Sequence, residues 1–166
     1  MKTQLEQESR IIGFREWVGL PKLGLFGIKA KVDTGAKTSC LHAFDIKVEE
    51  RVGKKSIVRF KVHPLQNETH LVINCEAILV DKRVVTDSGG HKESRLVIET
   101  VMVLGNIKKK IELTLTNRES MKYRMLIGRS ALGEFYIDPT QSYLAGKSIK
   151  QKNYLKDLKR RLNEAP

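Results

Sequence analysis

Short runs rich in Val, Ile, Leu and Phe recur at residues 11–14, 26–32, 46–52, 56–62, 70–80, 96–104, 109–115 and 125–127. Turn-forming residues punctuate them: Gly19-Leu20-Pro21, Val52-Gly53-Lys54, His63-Pro64, Ser88-Gly89-Gly90 and Leu104-Gly105-Asn106. Runs this short, bounded by such residues, predict β-strands. Alternation supports the assignment, because Lys47, Glu49 and Arg51 interleave with Ile46, Val48 and Val52, while Lys109, Glu112 and Thr114 flank Ile111, Leu113 and Leu115. That period of two gives each strand one wet and one packed face. Many closely spaced strands predict an all-β sandwich or small barrel.

The two ends differ from this middle. Residues 1–10 are polar and without period, which predicts a flexible arm. Residues 147–166 place Tyr154, Leu155, Leu158 and Leu162 at helical spacing among Lys147, Lys150, Lys152, Lys156, Lys159, Arg160 and Arg161. This predicts a basic amphipathic helix that lays its Leu stripe on the body of the protein and leaves its lysines solvated. No Pro-, Gly- or Ser-rich linker divides residues 11–146, so they are expected to form one domain.

The chain has 166 residues, with 31 Lys and Arg against 19 Asp and Glu and a formal charge of +12. Its 40% apolar and 30% charged residues suit a globular core. No stretch approaches the ~18 apolar residues of a spanning helix, and the start, Met1-Lys2-Thr3-Gln4-Leu5-Glu6, lacks a secretory apolar segment. The expectation is a soluble, cytoplasmic protein without a membrane partner. Cys40 and Cys75 are too few for a disulfide framework and read as buried thiols. The positive balance by itself favours polyanions, whether nucleic acid, an anionic membrane surface or acidic polypeptide.

His42, His63, His70 and His91 form no His-Glu-x-x-His motif, and Cys40-Leu41-His42 supplies at most two ligands, so neither a metal nor another cofactor is expected. Phosphate-binding and nucleophile-elbow motifs are also absent from the sequence. The segment Ile28-Lys29-Ala30-Lys31-Val32-Asp33-Thr34-Gly35-Ala36 runs a strand directly into a carboxylate, a hydroxyl and a glycine. Alone, it reads equally well as an ordinary strand end. A second segment, Met125-Leu126-Ile127-Gly128-Arg129, is an apolar strand ending at a glycine that permits close backbone approach. Aspartic proteases of the retroviral kind need this pair of elements.

Residues 13–21, 29–39, 115–121 and 126–132 together resemble the retropepsin-like family known as ATP-dependent zinc proteases, which includes RimB-type peptidases associated with RimK-type glutamate ligases. The likeness covers roughly residues 11–146. It implies an acid-protease barrel and, as in characterised relatives, removal of poly-glutamate tails. The "zinc" and "ATP" of the family label find no site in these motifs. Asp87-Ser88-Gly89 also fits an aspartic-protease signature, but it lies too close to Asp33 in the chain for two complete lobes. The segment from about 84 to 95 reads instead as a hairpin, either an ordinary one or a flap over the cleft.

Two carboxylates sharing a proton are required to activate water against an amide in this class. One Asp33 per chain therefore implies a homodimer pairing Asp33 with its symmetry mate, with Thr34 bracing the loop and Gly35 leaving room for substrate backbone. Retroviral enzymes knit their dimer with a short C-terminal strand, where this chain carries the basic tail. The position four after Asp33, acidic in many retroviral enzymes, is Lys37. Lys31, Ala36, Lys37 and Gly128 are expected beside the substrate, and Arg95, Arg118, Arg124 and Arg129 are candidates for carboxylate capture. For Arg129 an internal ion pair is the competing role. The expected partner is thus an acidic or poly-glutamylated protein. The alternative is a catalytically silent basic barrel that binds RNA or a ribosomal surface.

Overall fold

The structure, a computed structural model, describes residues 2–165; residue 1 of the expected arm and residue 166 of the tail lie outside the described residues. The elements in chain order are α1 (Gln4–Glu8), β1 (Ile11–Gly13), β2 (Arg15–Leu20), a 3-10 turn (Pro21–Leu23), β3 (Leu25–Val32), β4 (Ser39–His42), β5 (Phe44–Arg51), β6 (Lys54–Val62), β7 (Ile73–Thr86), β8 (Lys92–Leu104), β9 (Ile107–Thr116), β10 (Met125–Ile127), α2 (Arg129–Leu132), β11 (Tyr136–Asp138) and α3 (Ile149–Glu164).

Hydrogen bonding runs β2-β3-β10-β4-β9-β8 and returns to β2 through Gly19 opposite Val103. These six strands therefore close into a barrel, filled by Val18, Leu20, Leu25, Ile28, Leu41, Ile98, Met102, Leu113, Met125 and Ile127. The sheet continues outward from β8 through β7, β6 and β5. β1 and β11 pair in parallel beside it. Among the described residues no helix is long and apolar enough to cross a membrane.

Three departures from the sequence pattern have physical causes. β5 shows both faces largely to solvent, Val48 among its exposed residues, because it is the outermost strand of the extension. β4 is buried along its whole length, so Ser39-Cys40-Leu41-His42 carries no alternation to read. β2 holds a fully buried acid, Glu16, whose carboxylate accepts the backbone N–H groups of Gly13 at 2.7 Å, Leu144 at 2.9 Å and Ala145 at 3.1 Å. Three charge-assisted hydrogen bonds replace the lost hydration and tie the start of the domain to its end. Glu16→Gln presents an amide N–H₂ to at least one of these donors, and is expected to cost about 2 kcal/mol in a urea melt with unchanged slope.

The arm contains the short helix α1, capped by Thr3 and without buried residues. The tail forms α3, whose Leu155 and Leu158 are buried. It packs on β3 at Gly27, where an added Cβ would lie 3.7 Å from Leu155, Tyr154 and Gln151.

Candidate active site

β3 delivers the chain to Asp33, residues 33–38 turn, and β4 carries it away. β10 threads between the two, parallel to β3 and antiparallel to β4. This crossing fixes the turn by backbone alone. The N–H of Asp33 donates to Ile127 at 2.9 Å, Arg129 N–H to Ala36 carbonyl at 2.9 Å and Ser130 N–H to Lys37 carbonyl at 3.0 Å. Gly128 N–H donates to the buried Ser39 hydroxyl at 3.0 Å. A Cβ on Gly128 would sit 2.6 Å from the Thr38 carbonyl carbon, so only glycine lets β10 pass this close.

At the tip, Asp33 is half-buried and Thr34 and Gly35 are exposed. Asp33 Oδ1 accepts the Gly35 N–H at 3.1 Å, while Oδ2 has no partner among the described residues. Thr34 is tied into the loop through its carbonyl, which accepts from Arg129 Nη1 at 2.9 Å. Among the described residues Arg129 forms no ion pair, and through Nη1 it holds the loop.

The other cations divide into two groups. Lys31, Lys37 and Arg118 are exposed and, among the described residues, form no ion pair; Ala36 beside them is half-buried. Arg95 and Arg124, expected as capture residues, are buried and already engaged. Arg95 pairs with Glu93 at 2.9 Å and reaches Cys40 Sγ at 3.5 Å. Arg124 donates to the carbonyls of Leu65 at 3.4 Å and Glu68 at 3.3 Å. A guanidinium has donors enough to hold distant segments together, and these two are used that way. Lys29 is drawn onto the Trp17 ring, its Nζ 5.5 Å from the centroid.

Asp87 closes the β7–β8 hairpin turn, its Oδ1 accepting the N–H groups of Gly89 and His91 at 2.9 Å each. That use accounts for the second Asp-Ser-Gly. Both cysteines are buried free thiols; burial raises Cys40 and pushes Cys75 up to about 12, so neither is a ready nucleophile.

Sequence inspection missed a cluster formed by His42, His63 and Glu119, whose ligand atoms all lie within 4.8 Å of one another. No local spacing announces it, since the three come from the end of β4, the residue following β6 and the loop after β9. Burial, opposed by Glu119, lowers the pKa of His42 and keeps its ring neutral. His42 Nδ1 accepts the Arg118 N–H at 3.0 Å, which places the ring proton on Nε2. A metal would need that Nε2 as a lone-pair donor, so the trio as arranged does not fit the zinc of the family label.

A closed six-stranded barrel, an Asp-Thr-Gly turn and an apolar-Gly strand crossing beneath it define a retropepsin-type protein. The family model "Retropepsin-like aspartic endopeptidase RimB" matches residues 11–148, and the chain belongs to this RimB-like family. It is 45% identical over 138 residues to a "Probable alpha-L-glutamate ligase" of Shewanella pealeana, covering 82% of this chain and 30% of that protein. A protein of the same name from Parasynechococcus marenigrum is 47% identical over 137 residues, covering 82% and 29%. The chain thus spans less than a third of the length of these curated relatives. A crystal structure of a Legionella pneumophila protein of unknown function superposes with a TM-score of 0.68 at 28% identity, covering 81% of this chain and 97% of that one.

Proposed function

We propose that the chain is an aspartic peptidase that hydrolyses poly-glutamate extensions on a protein substrate, acting as a homodimer that pairs two copies of Asp33. The observation that carries this reading is the Asp33 carboxylate, held at an open loop tip with Oδ2 uncommitted. In the pair, the ionised carboxylate takes a proton from water as the water oxygen bonds to the amide carbon. The protonated carboxyl gives its proton to the carbonyl oxygen. Collapse of the resulting diol breaks the C–N bond, the departing nitrogen taking up a proton, and leaves a carboxylic acid and an amine.

The unpaired Lys31, Lys37 and Arg118 support an acidic substrate. So does the name of the ligase relatives, since hydrolysis of a glutamyl polymer is the reverse of joining one. The test is incubation with a glutamate-tailed protein, read as shortening by mass spectrometry; an unchanged mass would refute the reading. Reversing Lys31, Lys37 and Arg118 to Glu together is expected to raise KM for glutamate-rich peptides roughly three- to tenfold over neutral ones, as exposed charge pairs allow. An equal effect on both peptides would count against substrate recognition.

One observation favours a second reading. Trp17, Lys29, Lys147, Lys152, Lys156 and Lys159 line a single depression beside α3, suited to a polyanion. A barrel that only bound RNA there would show steeply salt-dependent affinity and no turnover.

A further inference from the structure

We propose that His42 and His63 form a subsite for a glutamate side chain of the substrate, and that Glu119 occupies it in the free protein as an internal stand-in. The inference rests on the peptidase reading above and names where one substrate carboxylate goes. His42 Nε2–H is fully buried and has no hydrogen-bond partner. A buried donor left in this state is costly, and it calls for an acceptor. Glu119 Oε1 lies 3.4 Å away without the alignment of a hydrogen bond, and 3.8 Å from His63 Nε2.

His63 Nδ1 faces the Leu71 carbonyl at 3.2 Å and carries its ring proton there, so Nε2 turns toward the same Glu119 oxygen. Phe44 stacks on His63 at 4.4 Å and walls the site on its apolar side. Arg124 acts on His42 and Arg118 on neighbouring Cys40, against the opposite charges of Glu119 and Glu93. Glu119 is 58% exposed, and its carboxylate makes no hydrogen bond among the described residues, so little holds it in place. A substrate carboxylate entering from solvent can align on His42 Nε2–H where Glu119 does not.

The site also connects along β4 with Arg95 and Glu93. His42 and Cys40 share one face of β4. Cys40 meets Arg95, and Thr116, the register partner of His42, donates its hydroxyl to Glu93 at 2.9 Å. This polar face leads from the subsite to the base of the β7–β8 hairpin. His42 lies three positions beyond Ser39 on β4, about 10 Å of extended chain, a span a peptide crosses in about three residues.

The experiment measures binding of tetraglutamate and tetraglutamine peptides by calorimetry in the full-length Asp33→Asn protein, where turnover cannot interfere. Glu119→Ala, at an exposed position that should fold, is expected to raise the preference for tetraglutamate roughly tenfold by removing the competitor. His42→Gln, which removes the unpartnered donor, is expected to lower it by a similar factor. An unchanged or reduced preference in Glu119→Ala would overturn the subsite even if the wild type cleaves poly-glutamate. So would stoichiometric Zn²⁺ binding that His42→Gln and Glu119→Ala abolish, since the trio would then belong to a metal. If the wild type fails to cleave but these affinities behave as expected, the peptidase reading fails and the subsite stands.

Discussion

Asp33→Asn is expected to remove cleavage of glutamate-rich tails while leaving the protein folded. The carboxamide has the shape of the carboxylate, and its oxygen can still accept the Gly35 N–H that Asp33 Oδ1 accepts at 3.1 Å. The backbone bonds from Asp33 to Ile127 and from Arg129 and Ser130 to the turn do not involve the side chain at all. What the amide cannot do is take a proton from water, nor can it share one with its twin across a dimer. General acid–base steps of this kind contribute on the order of 10²- to 10⁴-fold, and here both partners are altered at once. Peptide cleavage followed by mass spectrometry, together with a thermal melt, separates chemistry from folding. A variant with wild-type turnover would remove Asp33 from the mechanism.

Gly128→Ala tests the architecture that places Asp33. The clash would be with backbone: the Thr38 carbonyl carbon at 2.6 Å, the Ser39 nitrogen at 2.8 Å and the Thr38 oxygen at 2.8 Å. None of these can swing away as a side-chain tip would. Gly128 itself has extended dihedrals, so the requirement is space rather than conformational freedom. To admit the methyl group, β10 and the 33–38 turn must separate, stretching the bond to Ser39 and those from Arg129 and Ser130. A loss of about 3 kcal/mol is expected in denaturant melts, at the upper end of overpacking effects. Activity should fall further than stability, because a shift of about 1 Å in a reacting group can cost on the order of 10²-fold. Gly133, where an added Cβ would meet nothing within 4 Å, provides the control: Gly133→Ala should leave both stability and turnover near wild type. Equal behaviour of the two variants would show that the crossing tolerates a side chain.

The contrast between these glycines shows which features can be read along the chain. Asp33-Thr34-Gly35 and Ile127-Gly128-Arg129 are local arrangements, each needing only a strand, a turn and a missing Cβ. The Leu155 and Leu158 stripe of α3 is local in the same sense. β2 and β4 escape that kind of reading, because Glu16, Ser39 and His42 sit in the interior where a polar residue signals exposure. Backbone groups come to meet each of them, most from segments distant in sequence. Arg95 and Arg124 mislead for the complementary reason. An arginine looks like a surface cation until the fold supplies Glu93, Cys40, Leu65 and Glu68 to receive it.

Residue order along this chain was sufficient to specify an all-β retropepsin-type barrel, the acid at the end of its third strand, the glycine that passes beneath it and the basic helix at its end. Strand periodicity and turn chemistry act over a few residues, and a linear text records them. Which arginines are spent inside, that Arg129 grips the Thr34 carbonyl, and that His42, His63 and Glu119 meet, all depended on closure of the barrel. Those contacts join segments tens of residues apart, and their energies exist only once burial has stripped water from both partners.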